Sequence, residues 1–409
     1  MGRVVVTGRG RRWLASGHPW IYADALRETD AEPGDVVEIV GPDGDALGFG
    51  LFSAGSKIAV RRVARSGPRP DADFWRACIE RCLRARQEAG LLSADHARGA
   101  TRLVAGDADG VPGLVIDRYA DVVVAQSGTQ AADRLLPELV ERVADALPFD
   151  VRCAVNRSDA SVRRLERLEP RVEILYGKLP DELLVREGEL TYEVDVLAGH
   201  KTGHYLDQRD NRARAAELVA RLAETRPVRV LDAFSYDGLF GIRAALAGAS
   251  SVVCLDQSAA CGERVLRNAA RNGVQDRVRF ERANAMGELR ALGAAGERFD
   301  VVIVDPPAFA KNRRELAGAE RGYVELNRRA VELVEEDGWV VSASCSYNVL
   351  PETFVEFLKK GAALARRDVY LDQLTGAAPD HPALLTLPES RYLKCAFLRV
   401  APSITLGRS

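Results

Sequence analysis

The amino-acid sequence predicts an α/β protein: a doubly wound parallel sheet in the C-terminal half, preceded by a small β-rich module and an α+β segment. Three observations carry this reading. From Val228 onward, strand-like runs alternate with helical stretches. Before that point, β-branched runs bounded by Gly, Pro and Asp dominate, with long helical periodicity at Phe74–Ala89 and Ala131–Ala146. At 409 residues the chain is also too long for one core.

The first stretch contains Val36–Val40 and Ile58–Val63, which read as strands, with Pro33-Gly34-Asp35 and Gly41-Pro42-Asp43-Gly44 as turns. Ser66-Gly67-Pro68-Arg69-Pro70 reads as a linker. Between the two helical patterns lie strands at Leu114–Tyr119 and Val122–Gln126; Val151–Asn156 follows, and Leu183–Val185 with Leu190–Val196 forms a hairpin. Five strands then alternate with helices: Val228–Asp232, Ser251–Asp256, Val278–Glu281, Asp300–Asp305 and Trp339–Ser344. Two more, Asp368–Asp372 and Tyr392–Val400, are expected to close the sheet as an antiparallel edge. The expected domains are residues 1–68, 71–195 and 196–409.

Composition excludes several classes. Hydrophobic residues are 47% and charged residues 28%, as in soluble globular proteins. No apolar run approaches the ~20 residues of a membrane span, and Met1–Val6 begins no apolar signal segment, so a cytoplasmic location is expected. The net charge of -2 gives no overall basic field, so any nucleic-acid site must be a local patch. The seven cysteines contain no Cys-x-x-Cys pair, and no metal is expected; Cys78 and Cys82 share a helix face as packing residues.

Val230-Leu231-Asp232-Ala233-Phe234-Ser235-Tyr236-Asp237-Gly238 leaves the first strand of the alternating region. A dinucleotide site wants Gly-x-Gly-x-x-Gly there. This turn has one glycine and two carboxylates, which disfavour a pyrophosphate and suit the cationic S-adenosylmethionine. The next strand ends in Asp256, about twenty residues on, where a carboxylate grips a ribose diol. Asn284-Ala285 follows the third strand, at the position of an adenine contact. A lone acid at a strand end is commonly a helix cap; the ordered set points to a methyltransferase.

The fourth strand ends in Asp305-Pro306-Pro307-Ala308-Phe309, whose prolines fix the direction of the acid. Phe309 either stacks on a flipped base or plugs the core. The fifth strand ends in Ser344-Cys345-Ser346, which puts a thiol beside Asp305 at the carboxyl edge. Carbon 5 of a pyrimidine is a poor nucleophile until a thiolate adds at carbon 6, and an acid must then hold nitrogen 3. Cys345 and Asp305 are expected to be that pair; the alternatives are a packed thiol and a rigid strand-to-loop turn. Methylation of a base nitrogen needs no thiol.

These motifs resemble, over essentially the whole chain, the bacterial large-subunit ribosomal RNA cytosine-5 methyltransferases of the RlmI-like group. The matching stretches are Gly17-His18-Pro19-Trp20, Gly48–Arg61, Arg102–Asp107, Asp109–Gly113, Asp117-Arg118-Tyr119, Gly199–Arg209, Asp305-Pro306-Pro307 and Ser344-Cys345-Ser346. The resemblance implies an N-terminal PUA domain, a middle domain and a Rossmann-like class I methyltransferase domain. It implies catalysis by Cys345 with Asp305, and S-adenosylmethionine contacts from Asp232, Phe234, Ser235, Gly238, Asp256, Asn284 and Ala285. The chain departs from the pattern at Asp237, at Leu239 in place of a common glycine, at Asn284 for a frequent Asp, and at Ala308 for a frequent Lys.

Gly199–Arg209 reads on its own residues as either a charged linker or a flap over the cofactor, with Tyr205 or Gln208 touching it. For RNA, the acid-free start of the chain offers Arg11, Arg12 and Trp20, and the segment after the Asp-Pro-Pro turn offers Lys311, Arg313 and Arg314. The expected function is methylation of carbon 5 of a cytosine in 23S ribosomal RNA through a Cys345 adduct. The alternatives are methylation of a base nitrogen or of uracil, or a non-catalytic RNA-binding ribosome-assembly protein. Oligomeric state stays open, with a homodimer among the options.

Overall fold

The computed structural model describes residues 2–92, 98–310 and 313–402. They form two compact units. The first is Met1–Arg186 with Val194–Leu206 and Pro379–Ser390; the second is Glu187–Glu193, Asp207–Ala378 and Arg391–Ser409.

In the first unit, β1 (Arg3–Val6), α1 (Gly8–Ala15), β2 (Trp20–Tyr22), β3 (Leu26–Thr29), β4 (Val36–Val40), β5 (Ala46–Phe52) and β6 (Ile58–Ala64) come first. The strands form one sheet in the order β2-β6-β5-β4-β1-β3. Val4, Val6, Ile21, Val37, Ile39 and Val60 alternate inward over Leu14. Helix α1 was not expected from sequence, since two glycines disfavour a helix. Thr7 caps it, accepting from Gly10 N at 3.3 Å, and buried Leu14 anchors it.

Next come α2 (Ala72–Glu88), β7 (Ala100–Ala105), β8 (Leu114–Tyr119), β9 (Val122–Ser127), α3 (Gln130–Ala146), β10 (Cys153–Ser158) and β11 (Arg171–Gly177). The sheet order is β11-β10-β9-β8-β7, with β9 and β10 parallel across α3. Helix α2 buries Trp75, Cys78, Ile79, Cys82 and Leu83, so the cysteine pair packs as expected. Residues 66–70 carry no strand or helix. The β-rich module nevertheless shares a core with its neighbour: Leu51 packs among Trp75, Ile79 and Leu136. Gln130 exchanges hydrogen bonds with Ala54 N (2.9 Å) and Ala54 O (3.1 Å).

After the strands β12 (Leu184–Glu187) and β13 (Leu190–Glu193), the second unit holds α4 (Arg209–Ala223), β14 (Arg229–Ala233), α5 (Leu239–Leu246), β15 (Ser251–Asp256), α6 (Ala259–Arg271), β16 (Val278–Arg282), α7 (Ala285–Ala294), β17 (Phe299–Val304), α8 (Leu316–Leu333), β18 (Val334–Ser344), α9 (Pro351–Ala365), β19 (Val369–Thr375) and β20 (Lys394–Val400). The sheet runs β16-β15-β14-β17-β18-β20-β19. The first five strands are parallel, and β20 pairs antiparallel with both β18 and β19. Every residue of β17 is buried, as a central strand covered by helices on both faces requires. Chain order reverses between β14 and β17. There the loops part in opposite directions, which opens a crevice at the carboxyl ends. No helix among the described residues is long and apolar enough to cross a membrane.

Candidate active site

The turn after β14 fills one side of this crevice. Phe234 (φ 63°) and Tyr236 (φ 49°) hold left-handed conformations that cost non-glycine residues energy, and Gly238 (φ 73°) follows. A Cβ on Gly238 would meet Val265 Cγ2 at 2.9 Å, so a side chain is excluded there. Ser235 N donates to Leu255 O at 2.9 Å, while its buried Oγ has no partner. A buried hydroxyl without a partner calls for a polar group, and a ligand can supply one.

The carboxylates of this turn differ from the sequence reading. Asp232 is 1% exposed and turns inward, accepting from Gly241 N at 2.9 Å. Burial, with Asp305 and Asp256 nearby, pushes its carboxyl up to about 7. Asp237 is buried against Arg264 at 2.6 Å, so its charge is neutralised. Neither Asp232 nor Asp237 therefore presents a free negative charge to the crevice, contrary to the sequence reading. The acid left on the crevice is Asp256, which accepts from Tyr236 N (3.1 Å) and Ser258 N (3.0 Å). It braces the strained turn and keeps lone pairs for a diol. Asn284 is exposed and caps α7, accepting from Gly287 N at 3.2 Å, and Ala285 is buried behind it. Phe234 packs against the sheet core. The orphan hydroxyl, the braced acid and the exposed amide fit a polar nucleoside; Ser235, Gly238, Asp256 and Asn284 are the residues that would hold it. Asp256→Ala should weaken S-adenosylmethionine binding by about tenfold to over a hundredfold, on the order of 1–3 kcal/mol. Calorimetry showing unchanged affinity would place the cofactor elsewhere.

On the other side of the crevice, Asp305 follows β17 and Cys345 follows β18, adjacent strands in register at Val304 and Ser342. Six of the seven cysteines are buried, and Cys345 is half-buried. Its flanks are fixed: Ser344 Oγ donates to Tyr323 Oη (2.8 Å), which also bonds Ser346 Oγ (3.0 Å). Ala310 N donates to Ser346 Oγ at 3.4 Å, so the Asp-Pro-Pro loop and the cysteine loop are stitched together. Asp305 accepts from Gln208 Nε2 at 3.1 Å, and Gln208 in turn accepts from Asn211 Nδ2 at 2.6 Å. Burial, reinforced by Asp207, pushes the Asp305 carboxyl up to about 7, against the opposing pull of the Gln208 bond.

The other residues expected at the site have these settings. Gln208 touches Asp305, where the sequence suggested the cofactor. Tyr205 belongs to the first unit, its hydroxyl 3.1 Å from His200 Nδ1. Thr202 in the same stretch is tied to buried Asp117 at 2.5 Å. Among the described residues no group of three or more His, Cys, Asp or Glu could hold a metal ion. Phe309 packs on Tyr323, ring centroids 4.7 Å apart, and so is a core plug. Arg11 pairs with Asp43 (2.8 Å) and Asp45 (3.3 Å): the acid-free sequence window is not acid-free in space. Such surface pairs are weak. Arg12 is exposed, and Trp20 is half-buried with Nε1 donating to Asp107 at 2.5 Å. Arg314 is exposed; Lys311 and the Arg313 side chain lie outside the described residues. Sequence reasoning missed Tyr323 and Lys394, a 2%-exposed lysine at the start of a strand whose other charged residue, Arg399, faces solvent.

Comparison with known proteins gives the same picture. Residues 4–65 match the model of a PUA-like domain, and residues 152–382 that of an S-adenosylmethionine-dependent methyltransferase. The chain is 37% identical over 396 residues to the ribosomal RNA large subunit methyltransferase I of Shewanella denitrificans, covering 95% of this chain and 97% of the relative. The same identity and coverage hold for the protein of that name from Shewanella frigidimarina. Among solved structures, a methyltransferase complexed with SAH superposes with a TM-score of 0.83 over 98% of this chain and 100% of the other, at 20% identity.

Proposed function

This chain belongs to the S-adenosylmethionine-dependent methyltransferases, in the family of ribosomal RNA large subunit methyltransferase I, and from that premise we propose that it methylates carbon 5 of a cytosine in 23S ribosomal RNA. The observation that carries the position is the half-buried Cys345 thiol on the strand end next to Asp305, while the other six cysteines are packed away. S-adenosylmethionine, when bound, supplies an electrophilic methyl group. Cys345 Sγ adds to carbon 6 of the base and opens the 5,6 double bond, which makes carbon 5 nucleophilic. Once carbon 5 has given its proton to a water molecule, the sulfur leaves as thiolate and the double bond is restored.

A protonated Asp305 would favour cytosine over uracil. Near neutral pH a large share of a carboxyl pushed up to about 7 is protonated. A neutral acid donates a hydrogen bond, and nitrogen 3 of cytosine is an acceptor. Nitrogen 3 of uracil carries a hydrogen and needs an acceptor instead. Methylation of a base nitrogen gives the thiol no task. The exposed Arg12 and Arg314 are offered as phosphate contacts.

The test is nucleoside mass spectrometry of ribosomal RNA from cells with and without this gene. One 5-methylcytidine should disappear from 23S RNA in the deletion and return with the wild-type chain. Loss of a methyluridine or of an N-methylated base would overturn the assignment.

A further inference from the structure

Strand β20 pairs with β18 so that Lys394 lies opposite Ser344, one residue from Cys345. Its side chain is 2% exposed, a rare setting for a lysine. Nζ donates to Ser346 O at 2.7 Å and to Tyr392 O at 2.8 Å. Both acceptors are backbone carbonyls, which carry only partial charge. A buried ammonium held this way is costly, and a nearby anion offsets the cost.

We propose that Lys394 is a positioning residue for Cys345: it holds the Ser346 carbonyl, and so the cysteine loop, and sets a positive charge beside the sulfur that favours the thiolate. The inference rests on the reading of Cys345 as nucleophile. The groups around the thiol come from every packed element. Tyr323 stands on α8, and Asp305 ends β17 with Asp207 and Arg212 behind it. Lys394 and buried Cys395 stand on β20. Asp305 opposes a thiolate only in its charged form, the neutral phenol does not oppose it, and Lys394 supports it. Burial lowers the ammonium to about 8, and the sulfur pulls it back up. The stoichiometry is simple: the thiol proton goes to water, sulfur bonds carbon 6, and Lys394 keeps its protons. Lys394 touches neither base nor cofactor, and its part in the reaction runs through the sulfur.

The experiment is alkylation of Cys345 by iodoacetamide in the full chain against pH, read by peptide mass spectrometry, with no RNA present. In the wild type the midpoint should lie below the ~8.5 of an ordinary thiol. In Lys394→Gln, which keeps a hydrogen-bond donor without the charge, it should rise by about one unit, a tenfold loss of thiolate at pH 7. Lys394→Arg should stay close to wild type. S-adenosylmethionine binding reports whether each variant folds. An unshifted midpoint in folded Lys394→Gln overturns the inference. A wild-type midpoint at or above 8.5 overturns it even if that variant does not fold. Trapping with 5-fluorocytidine RNA tests the nucleophile separately: an acidic, Lys394-dependent thiol that forms no RNA adduct would leave the electrostatic inference standing and sink the nucleophile.

Discussion

Cys345→Ala is expected to reduce methylation to background while leaving S-adenosylmethionine affinity unchanged. Deleting a covalent nucleophile costs an enzyme roughly a millionfold when the remaining machinery works only as a unit with it. No other cysteine can substitute, because burial raises the thiols of Cys254 and Cys395 far above neutral and the remaining four are packed away too. The cofactor turn lies after β14, and the cysteine loop after β18, with β17 between them, so the substitution should not disturb binding. RNA carrying 5-fluorocytidine at the target base should give a wild-type adduct that resists denaturing electrophoresis, since fluorine cannot leave carbon 5 as a proton does. The adduct should vanish in Cys345→Ala. An adduct that persists in the variant would assign the thioether to another residue.

The parts of this site legible in sequence are those that a strand end announces. Asp256, Asp305 and Cys345 each follow a run of apolar β-branched residues, and a doubly wound sheet sends all such ends to one edge. What stayed hidden depends on pairs far apart in the chain. Asp237 reads as a free charge until Arg264, a helix away, neutralises it. Arg11 sits in an acid-free window but meets Asp43 and Asp45 from the turn before β5. Helix α1 hides behind glycines that local propensity counts against it, and buried Leu14 outweighs them. The linker at residues 66–70 suggests a detachable module, whereas Leu51 packs into the neighbouring core. Lys394 is visible only through the register of an antiparallel strand that starts 49 residues after Cys345.

Asp305→Ala should lower single-turnover methylation by about a hundred- to a thousandfold, the usual cost of removing one hydrogen bond that stabilises developing charge. Asp305→Asn should retain more activity, because the amide can still donate to nitrogen 3 of cytosine. The two variants separate most clearly in their pH dependence. The carboxyl is raised from its ordinary 3.8 to about 7, so the donating form is present below that value and lost above it. Wild-type activity should therefore fall on the alkaline side through a group near 7, and Asp305→Asn should lack this limb because an amide does not titrate. Stability follows the same proton. The folded chain holds it between about pH 4 and 7 while the unfolded chain releases it, so this carboxyl makes stability decline as pH rises through that window. Thermal unfolding of Asp305→Asn should show less of that decline. If the alkaline limb survives in Asp305→Asn, the proton that matters belongs to another group, and Asp305 binds the base as an acceptor. The preference for cytosine over uracil would then have to be argued the other way.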